Sequence, residues 1–249
     1  MTELLNSINN FSFVYCLAGK GNRFIQQGVY DPKFLLHLKN DLTILETSLK
    51  SFNFPINSHI VFVINKDHAA FSEKINDIVK NYTNNYDIII TNDTRGQAET
   101  AYLSLSKINP KNWIFFFNGD TVLLKRNLTQ ILKHISQSND ILGYIDIFEE
   151  NSSNYSYVIT NNDDIVTDIK EKEPISVKAT SGLYGFKNKN IYEKYYKILN
   201  FQDGEVFISD VYMNMLKNNG KILVSQLFKN IDSIILGTPE EYKLNKNKF

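Results

Sequence analysis

Short apolar runs alternate with segments of helical period over the first half of the chain. Runs of about four to eight residues rich in β-branched and aromatic side chains predict buried strands, and apolar positions that repeat every third or fourth residue predict helices. The run at 113–117 is the most hydrophobic of these strands. Strands are predicted at 14–17, 59–64, 86–90 and 113–117, and helices at 42–52, 71–82, 97–108 and 128–135.

The second half has shorter apolar runs, and part of its pattern is antiparallel in character. Residues 161–164 read Asn-Asn-Asp-Asp, which is typical of a hairpin turn between two strands. No linker, internal repeat or low-complexity segment interrupts the chain, so one domain over 1–249 is predicted. Strands are predicted at 141–148, 155–160, 165–170, 183–186 and 222–227, and helices at 191–199 and 206–218.

The alternation of strands and helices predicts an α/β fold. Its sheet is expected to be Rossmann-like, mixed but mostly parallel, with helices on both faces. Right-handed crossovers bring the carboxyl ends of parallel strands, and the loops that follow them, to one edge of the sheet. Gly19, Gly96 and Asp120 all come at or just after such ends. The candidate chemistry is therefore expected at this edge.

Composition narrows the class of partner. Lys and Arg number 27 and Asp and Glu number 27, so the formal net charge is zero and no basic field attracts nucleic acid or an anionic membrane. The single cysteine, Cys16, excludes a disulfide within the chain, which suits a reducing compartment. No secretory signal is seen, and no apolar run approaches the ~20 residues that span a bilayer. A cytoplasmic protein is expected.

A glycine turn follows the first apolar run. Residues 17–24 read Leu-Ala-Gly-Lys-Gly-Asn-Arg-Phe. Glycine lets backbone N–H groups approach a ligand closely, and Arg23 adds a forked cation two residues after Gly21. Such a turn suits the phosphates of a nucleotide. Turns of this kind also occur without any ligand, so the turn by itself does not decide the matter.

Two further features lie where loops follow predicted strands. Pro32 stiffens a loop that presents Lys33, whose charge is able to reach a phosphate. Gly96, followed by Gln97, opens a helix and leaves room for a flat base or a ribose. A solvated lysine and an ordinary loop glycine are the alternatives.

Two carboxylates are candidates for a metal site. Asp120 ends the buried strand at 113–117, where a carboxylate is costly unless it has a partner. Mg²⁺ is one such partner, since it favours one or two carboxylates together with phosphate oxygens and water. Asp210 lies at the border of the apolar stripe of its helix. A turn cap for Asp120 and an exposed helix position for Asp210 are the alternatives.

A charged pair precedes a glycine-containing strand in the second half. Glu171 and Lys172 come shortly before Gly182, so the pair could hold the hydroxyl groups and phosphate of an acceptor that lies against Gly182. The alternative is a solvated run of charges from Lys170 to Glu173.

The order of these motifs resembles that of the sugar-phosphate nucleotidylyltransferases, with glucose-1-phosphate thymidylyltransferase a close comparison. The resemblance runs from about residue 13 to residue 242 and includes a Gly-Thr-Pro-Glu segment at 237–240. The stretch 172–186 resembles in particular a subgroup found in bacterial capsule gene clusters. The matching positions are Gly19, Gly21, Arg23, Lys33, Asp120, Glu171, Lys172, Gly182 and Asp210.

The resemblance implies the nucleotide-diphospho-sugar transferase fold, with a nucleotide-binding half at about 11–140 and an acceptor-binding half at about 141–249. It implies that Arg23 and Lys33 act in catalysis and that Asp120 and Asp210 hold Mg²⁺. It also implies that a nucleotidyl group passes from a nucleoside triphosphate to a phosphorylated acceptor and that pyrophosphate is released, in an enzyme that could be a homo-oligomer. The nucleotide would contact Leu17, Ala18, Gly19, Lys20, Gly21, Asn22, Thr91, Gly96 and Gln97. The acceptor would contact Asn118, Glu171, Lys172 and Gly182.

Three departures leave the substrates open. The glycine turn is one residue shorter than in the thymidylyltransferases, and Thr91 stands where they carry a base-reading glutamine, so CTP, UTP and dTTP all remain candidates. Ser156 stands where they have a glycine under the sugar, so the acceptor is a sugar phosphate or a small non-sugar phosphate. The competing interpretations are a glycosyltransferase of the related fold, although the Asp-x-Asp motif is missing at Asp120, and a non-catalytic sugar-nucleotide sensor.

Overall fold

The computed structural model describes residues 11–52, 54–55, 58–202, 204–225 and 233–249. A central sheet has the strand order β10-β6-β9-β4-β1-β2-β3, and β7 and β8 extend it beside β9. The strands are β1 (Phe11–Leu17), β2 (His59–Asn65), β3 (Tyr86–Thr91), β4 (Trp113–Phe117), β5 (Thr121–Leu123), β6 (Ile141–Glu149), β7 (Ser156–Thr160), β8 (Val166–Glu171), β9 (Lys178–Phe186), β10 (Lys221–Ser225) and β11 (Ser233–Ile235).

Helices cover both faces of the sheet. Short 3₁₀ turns extend several of them, as at Lys66–Phe71 and Leu105–Lys107. The helices are α1 (Asn22–Ile25), α2 (Ile44–Phe52), α3 (Ser72–Val79), α4 (Gln97–Ser104), α5 (Leu128–Ile135), α6 (Lys189–Tyr196), α7 (Ile208–Lys217) and α8 (Pro239–Asn245). Within the described ranges, no helix has the length and apolarity needed to cross a membrane.

Strand β1 lies inside the sheet, parallel to both β2 and β4. Its residues alternate between the two faces, so that Phe13 and Tyr15 join one core while Val14 and Cys16 join the other. Burial on both faces explains why β1, β2 and β4 are continuously apolar rather than alternating. The observed sheet is mixed and mostly parallel, as the sequence predicted, and the structure shows that β9 is the strand that runs antiparallel to β4 and β6.

The structure also contains elements that the sequence pattern did not indicate. Strands β5 and β11 pair antiparallel outside the main sheet, and each has only three residues, which is too short for a periodic pattern to emerge. The strand predicted at 183–186 begins at Lys178, because a polar stretch before Leu183 continues the same strand. The strand predicted at 222–227 is observed at Lys221–Ser225, and residues 226 and 227 lie outside the described residues.

Candidate active site

A cleft of about 980 Å³ opens at the carboxyl ends of β1 and β4. This is the edge at which parallel strands place their loops, and the volume suits a nucleotide-sized ligand. Most of the residues predicted for the site line this one cleft. They are Ala18, Gly19, Lys20, Gly21, Asn22, Arg23, Lys33, Gly96, Gln97, Asn118, Asp120, Glu171, Lys172 and Gly182.

The glycine turn forms one wall of the cleft. Gly19 and Gly21 face open space, and among the described residues the N–H groups from Gly19 to Gly21 have no hydrogen-bond partner. The guanidinium of Arg23 is likewise without a hydrogen-bond or ion-pair partner within the described part of the chain. Free backbone donors beside a free cation form an anion site, because both offer positive charge to the same ligand.

Asp120 and Lys33 form an ion pair beside this turn. Lys33 Nζ lies 2.7 Å from Asp120 Oδ2, and the two side chains are 21% and 20% exposed, so solvent screens the pair only in part. Asp120 reaches the cleft because it follows β4 directly, and its carbonyl accepts the N–H of Leu236 at 2.8 Å. The pair presents a lysine and a carboxylate together at one point of the wall.

The donor set at Asp120 fits a divalent ion. Across the described ranges, no group of three or more His, Cys, Asp or Glu side chains is arranged to hold a metal by itself. Mg²⁺ is commonly bound by one or two carboxylates, with phosphate oxygens and water as its remaining ligands. The carboxylate of Asp120 can supply the protein's share of such a site.

Gly96 begins the second wall, where α4 starts. Its φ of +132° is one that side-chain-bearing residues rarely adopt, and a Cβ there would lie 2.4 Å from the carbonyl oxygen of Val206. Val206 in turn donates its N–H to the carbonyl of Arg95 at 2.7 Å. The segment before α7 is therefore pressed against the start of α4. The next residue, Gln97, has a buried amide nitrogen with no hydrogen-bond partner among the described residues.

Glu171 and Lys172 lie at the other end of the cleft. Glu171 accepts a hydrogen bond from Ser156 and another from Ser209 Oγ at 2.8 Å, so its carboxylate is held in place. Lys172 has a φ of +56°, and its Nζ lies 4.4 Å from the ring centre of Phe207. Among the described residues no carboxylate pairs with this ammonium. A strained backbone that presents an unpaired cation is typical of a binding site.

Gly182 and Asn118 form the floor between the two ends. The φ of Gly182 is +89°, and a Cβ there would lie 2.9 Å from Asn118 Nδ2, so only glycine fits against this amide. The backbone N–H of Asn118 donates to the carbonyl of Gly182 at 3.2 Å. Asn118 Oδ1 is buried and has no partner in the described part of the chain. Buried polar atoms are nearly always hydrogen-bonded, so this acceptor is an exception within a residue that lines the cleft.

The structure does not bring three of the predicted residues into the cleft lining. Leu17 is buried, and its side chain packs beneath Gly119. Thr91 ends β3 in register with Asn65 and is not part of the wall.

Asp210 is the third, since it is not among the residues that line the cleft. Asp210 Oδ2 accepts the N–H of Phe207 at 2.8 Å and so caps its own helix. Burial raises the pKa of Asp210, and this hydrogen bond opposes the rise. Its role as a metal ligand stays a prediction.

Sequence reasoning missed several residues of the wall. Asn65 ends β2, and the strand-end rule that found Asp120 could also have found it; its amide donates to Asp93 at 3.0 Å. Glu241 belongs to the C-terminal segment that carries part of the resemblance, but no local pattern shows that this segment returns to the cleft. The missed lining residues include Asn65, Asp93, Thr94, Arg95, Thr121, Tyr155, Thr180, Ser181, Glu205, Phe207, Thr238 and Glu241.

Tyr155 and Glu241 connect the C-terminal segment to the acceptor end. Tyr155 donates its hydroxyl to Glu241 Oε1 at 2.9 Å, and Glu241 Oε2 accepts the N–H of Thr238 at 2.8 Å. Burial raises the pKa of Tyr155, and the hydrogen bond to Glu241 and the nearby carboxylates raise it further. The phenol therefore remains a hydrogen-bond donor at neutral pH.

Comparison with known proteins identifies the family. The sequence profile of the nucleotidyl transferase family matches residues 17–231, which is most of the chain, and the chain therefore belongs to this family. The resemblance to sugar-phosphate nucleotidylyltransferases is thus confirmed, as is the fold class. No curated protein sequence matches the chain.

Solved structures of the same fold include several nucleotidyl-transferring enzymes. A nucleoside-diphosphate-sugar pyrophosphorylase from Vibrio cholerae RC9 superposes with a TM-score of 0.81 at 25% identity, over 93% of this chain and 98% of that one. A UDP-glucose pyrophosphorylase complexed with UDP-glucose gives 0.77 at 16% identity, over 96% and 98%. The inositol-1-phosphate CTP transferase from T. maritima gives 0.71 at 14% identity, over 93% and 91%. The last two likenesses show the fold alone.

Proposed function

We propose that this chain transfers a nucleotidyl group from a nucleoside triphosphate to a phosphorylated small molecule and releases pyrophosphate. One observation carries the proposal: each end of a single cleft has a positive side chain with no carboxylate partner among the described residues. At one end are the free N–H groups of the glycine turn and Arg23, and at the other is Lys172. Two separate anion sites in one cleft suit two phosphorylated substrates that meet between them.

The chemistry asks little of the protein beyond positioning and charge. An anionic oxygen of the acceptor phosphate attacks the α-phosphorus of the triphosphate, the bond from that phosphorus to the bridging oxygen of the β-phosphate breaks, and pyrophosphate leaves with the electron pair. Because the attacking oxygen is already charged, no general base or protein nucleophile is needed. Holding the two substrates in line can contribute roughly 7–11 kcal/mol to lowering the barrier.

Each charged residue has a role in this scheme. Arg23 would neutralise the charge that builds on the departing pyrophosphate, and Lys33 would orient the α-phosphate. Lys172 would bind the acceptor phosphate, while Glu171 would accept hydrogen bonds from acceptor hydroxyl groups. Residues 11–140 would thus supply most of the triphosphate site and residues 141–249 most of the acceptor site.

Mg²⁺ is the proposed metal, and Asp120 is its proposed ligand. When bound, the ion would withdraw charge from the phosphate oxygens of the triphosphate. Lys33 hydrogen-bonds the same carboxylate and so keeps it oriented toward the cleft. Asp210, the second ligand expected from the resemblance, would serve chiefly as the cap of its helix.

The substrates are proposed from the resemblance and from the site. A pyrimidine triphosphate, namely CTP, UTP or dTTP, is favoured by the likeness to pyrimidine-specific enzymes. The acceptor is a sugar phosphate or a small polyol phosphate, and an inositol-phosphate enzyme shares this fold. The product would be an activated precursor for capsule or other surface polysaccharide, made in the cytoplasm where nucleoside triphosphates are found.

A pyrophosphate-release screen tests the proposal. The purified chain is mixed with Mg²⁺ and each common triphosphate, crossed with hexose 1-phosphates, inositol 1-phosphate and glycerol 3-phosphate, with Asp120→Asn as the inactive control. Release that needs both a triphosphate and an acceptor supports the function. No release in any combination contradicts it, and turnover of an intact nucleotide sugar without triphosphate would identify a glycosyltransferase instead.

A further inference from the structure

A buried ion pair lies behind the acceptor end of the cleft, outside its lining. Arg126 Nε lies 3.1 Å from Asp146 Oδ1, and Arg126 Nη2 lies 3.2 Å from Asp146 Oδ2. The two side chains are 0% and 1% exposed. Neither residue belongs to a motif of the sequence, and the proposed reaction does not use either of them directly.

Asp146 lies opposite a bulge in β9. Strands β6 and β9 pair at Ile145 with Tyr184 and at Ile147 with Thr180, so residues 181–183 of β9 face the single residue Asp146. Ser181 Oγ closes this bulge by donating to Asp146 Oδ2 at 2.5 Å. The bulge includes Gly182, which lies in the cleft floor against Asn118. Bulges next to functional sites commonly turn a segment toward a ligand.

Arg126 holds a second part of the wall. Its Nη2 also donates to Ser233 Oγ at 2.8 Å, at the first residue of β11. Strand β11 leads directly to Leu236, whose N–H donates to the carbonyl of Asp120, and to Gly237, which lies against the Asp120 carboxylate. One ion pair thus touches both the acceptor floor and the segment that packs on Asp120.

Stability alone does not account for a pair of this kind. Taking two charges out of water is costly, and replacing a buried pair by apolar residues of similar volume is often neutral or stabilising. What the pair supplies is fixed hydrogen-bonding directions, among them one to Ser181 and one to Ser233. We propose that Arg126 and Asp146 are positioning residues that set the shape of the acceptor end of the cleft by holding the 181–183 bulge and β11. This inference rests on the function proposed above.

Removing one hydroxyl tests the link without unfolding the pair. Ser181→Ala removes the hydrogen bond between the bulge and Asp146. Because Ser181 also lines the cleft, the exchange measurement without substrate is the readout that assigns the effect to the bulge. Ser48→Ala is the matched control. It removes an equally buried hydroxyl, which contacts Tyr15 away from the cleft. A second variant, Ser233→Ala, breaks the link from Arg126 to β11, and Asp146→Asn is added if it folds.

Two readouts separate positioning from general stability. Hydrogen exchange of the chain without substrate should speed up in peptides covering 178–186 for Ser181→Ala and 233–237 for Ser233→Ala, with 59–65 and 86–91 unchanged. With the substrates found in the screen, Ser181→Ala should raise the KM for the acceptor about tenfold while the KM for the triphosphate changes less than about twofold. Ser48→Ala should change neither KM.

The outcomes are distinct. Local exchange together with a selective rise in acceptor KM supports the proposal. Unchanged exchange at 178–186, or an acceptor KM that moves no more than in Ser48→Ala, overturns it. If the wild-type chain turns over nothing, the proposed function has failed and takes the catalytic part of this inference with it. The exchange comparison still tests the structural part of the inference in that case, because it needs no turnover.

Discussion

The two edges of the sheet use similar side chains in different ways. At the amino edge, Ser12 Oγ lies 3.2 Å from His59 Nδ1, and His59 Nε2 lies 3.1 Å from Asp87 Oδ2. These are the residue types of a hydrolase triad, but the two ring nitrogens have exchanged partners. However, Ser12 is fully buried, and none of the three residues lines the cleft. Lys107 lies 3.1 Å from Asp87 and completes the group.

At the carboxyl edge, several polar groups are instead left without partners by the described residues. The amide nitrogen of Gln97 and the amide oxygen of Asn118 are buried and unpaired, and Arg23 and Lys172 have no carboxylate beside them. The difference teaches that residue identity does not mark the functional edge. What differs at the carboxyl edge is that groups with unsatisfied hydrogen-bonding capacity line a cleft together, whereas groups with internal partners have nothing left to offer a ligand.

The largest expected effect is a loss of activity when a charge is removed at the carboxyl edge but not at the amino edge. Asp120→Asn and Arg23→Ala should each lower pyrophosphate release about 100- to 1,000-fold, because each removes a charge facing the reacting phosphates. Asp87→Asn makes the same kind of change at the opposite edge and should leave the rate within about twofold of wild type. Initial rates and circular dichroism spectra of the three variants provide the measurement. A near-normal rate in Asp120→Asn or Arg23→Ala would remove that residue from the mechanism.

A smaller and more selective effect is expected at the acceptor end. Lys172→Met should raise the acceptor KM about 10- to 100-fold, as is typical when a hydrogen bond between charged groups is lost, with little change in the triphosphate KM. Lys170→Met is the control, because Lys170 lies in β8 two residues before Lys172 but outside the cleft lining. Equal changes in both KM values would argue against a separate acceptor site at Lys172.

Asp210→Asn decides between a cap and a metal ligand. Asparagine can still accept the N–H of Phe207, so the rate should stay within about tenfold of wild type and the Mg²⁺ concentration for half-maximal rate should not change. Steady-state rates across a Mg²⁺ titration measure both quantities. A loss as large as that of Asp120→Asn would restore Asp210 as the second metal ligand expected from the sequence.

Changes at the amino edge should affect stability and leave the reaction alone. His59→Leu removes the contacts to Ser12 and Asp87 and should lower the free energy of unfolding by about 1 kcal/mol. Urea unfolding measures the loss, and the pyrophosphate assay should show an unchanged KM for both substrates. A fall in activity without a fall in stability would mean that the amino edge takes part in function.

The smallest expected effect is the pH dependence of that edge. Partial burial tends to raise the pKa of Asp87, but the hydrogen bonds from His59 and Lys107 outweigh it, so the pKa lies below its ordinary value of 3.8. A carboxylate with a lowered pKa in the folded chain stabilises it above the unfolded pKa, and this contribution is lost as the pH falls through the folded pKa. The difference in Tm between wild type and Asp87→Asn should therefore shrink as the pH falls from about 5 through the lowered pKa of Asp87. A constant difference would contradict this assignment.

Local pattern was a good guide where a segment carries its own information. The central strands could be predicted because burial on both faces makes them continuously apolar, as at Trp113–Phe117. Loops that follow parallel strands gather at one edge of the sheet, and this rule predicted that Gly19, Gly96 and Asp120 lie near one another. Strands β5 and β11 could not be predicted, since three residues carry no period and their pairing joins positions more than a hundred residues apart.

The sequence by itself determined the α/β alternation, the glycine turn and the order of motifs that marks the family. Each strand, helix or motif is defined by residues close together in the chain, so it can be recognised without the fold. Only the tertiary structure decided which carboxylates face the cleft. Asp120 does so because β4 ends beside β1, Asp210 turns back to cap its own helix, and Glu241 returns from the far end of the chain. Side-chain direction depends on contacts between distant segments, and no local spacing encodes those contacts.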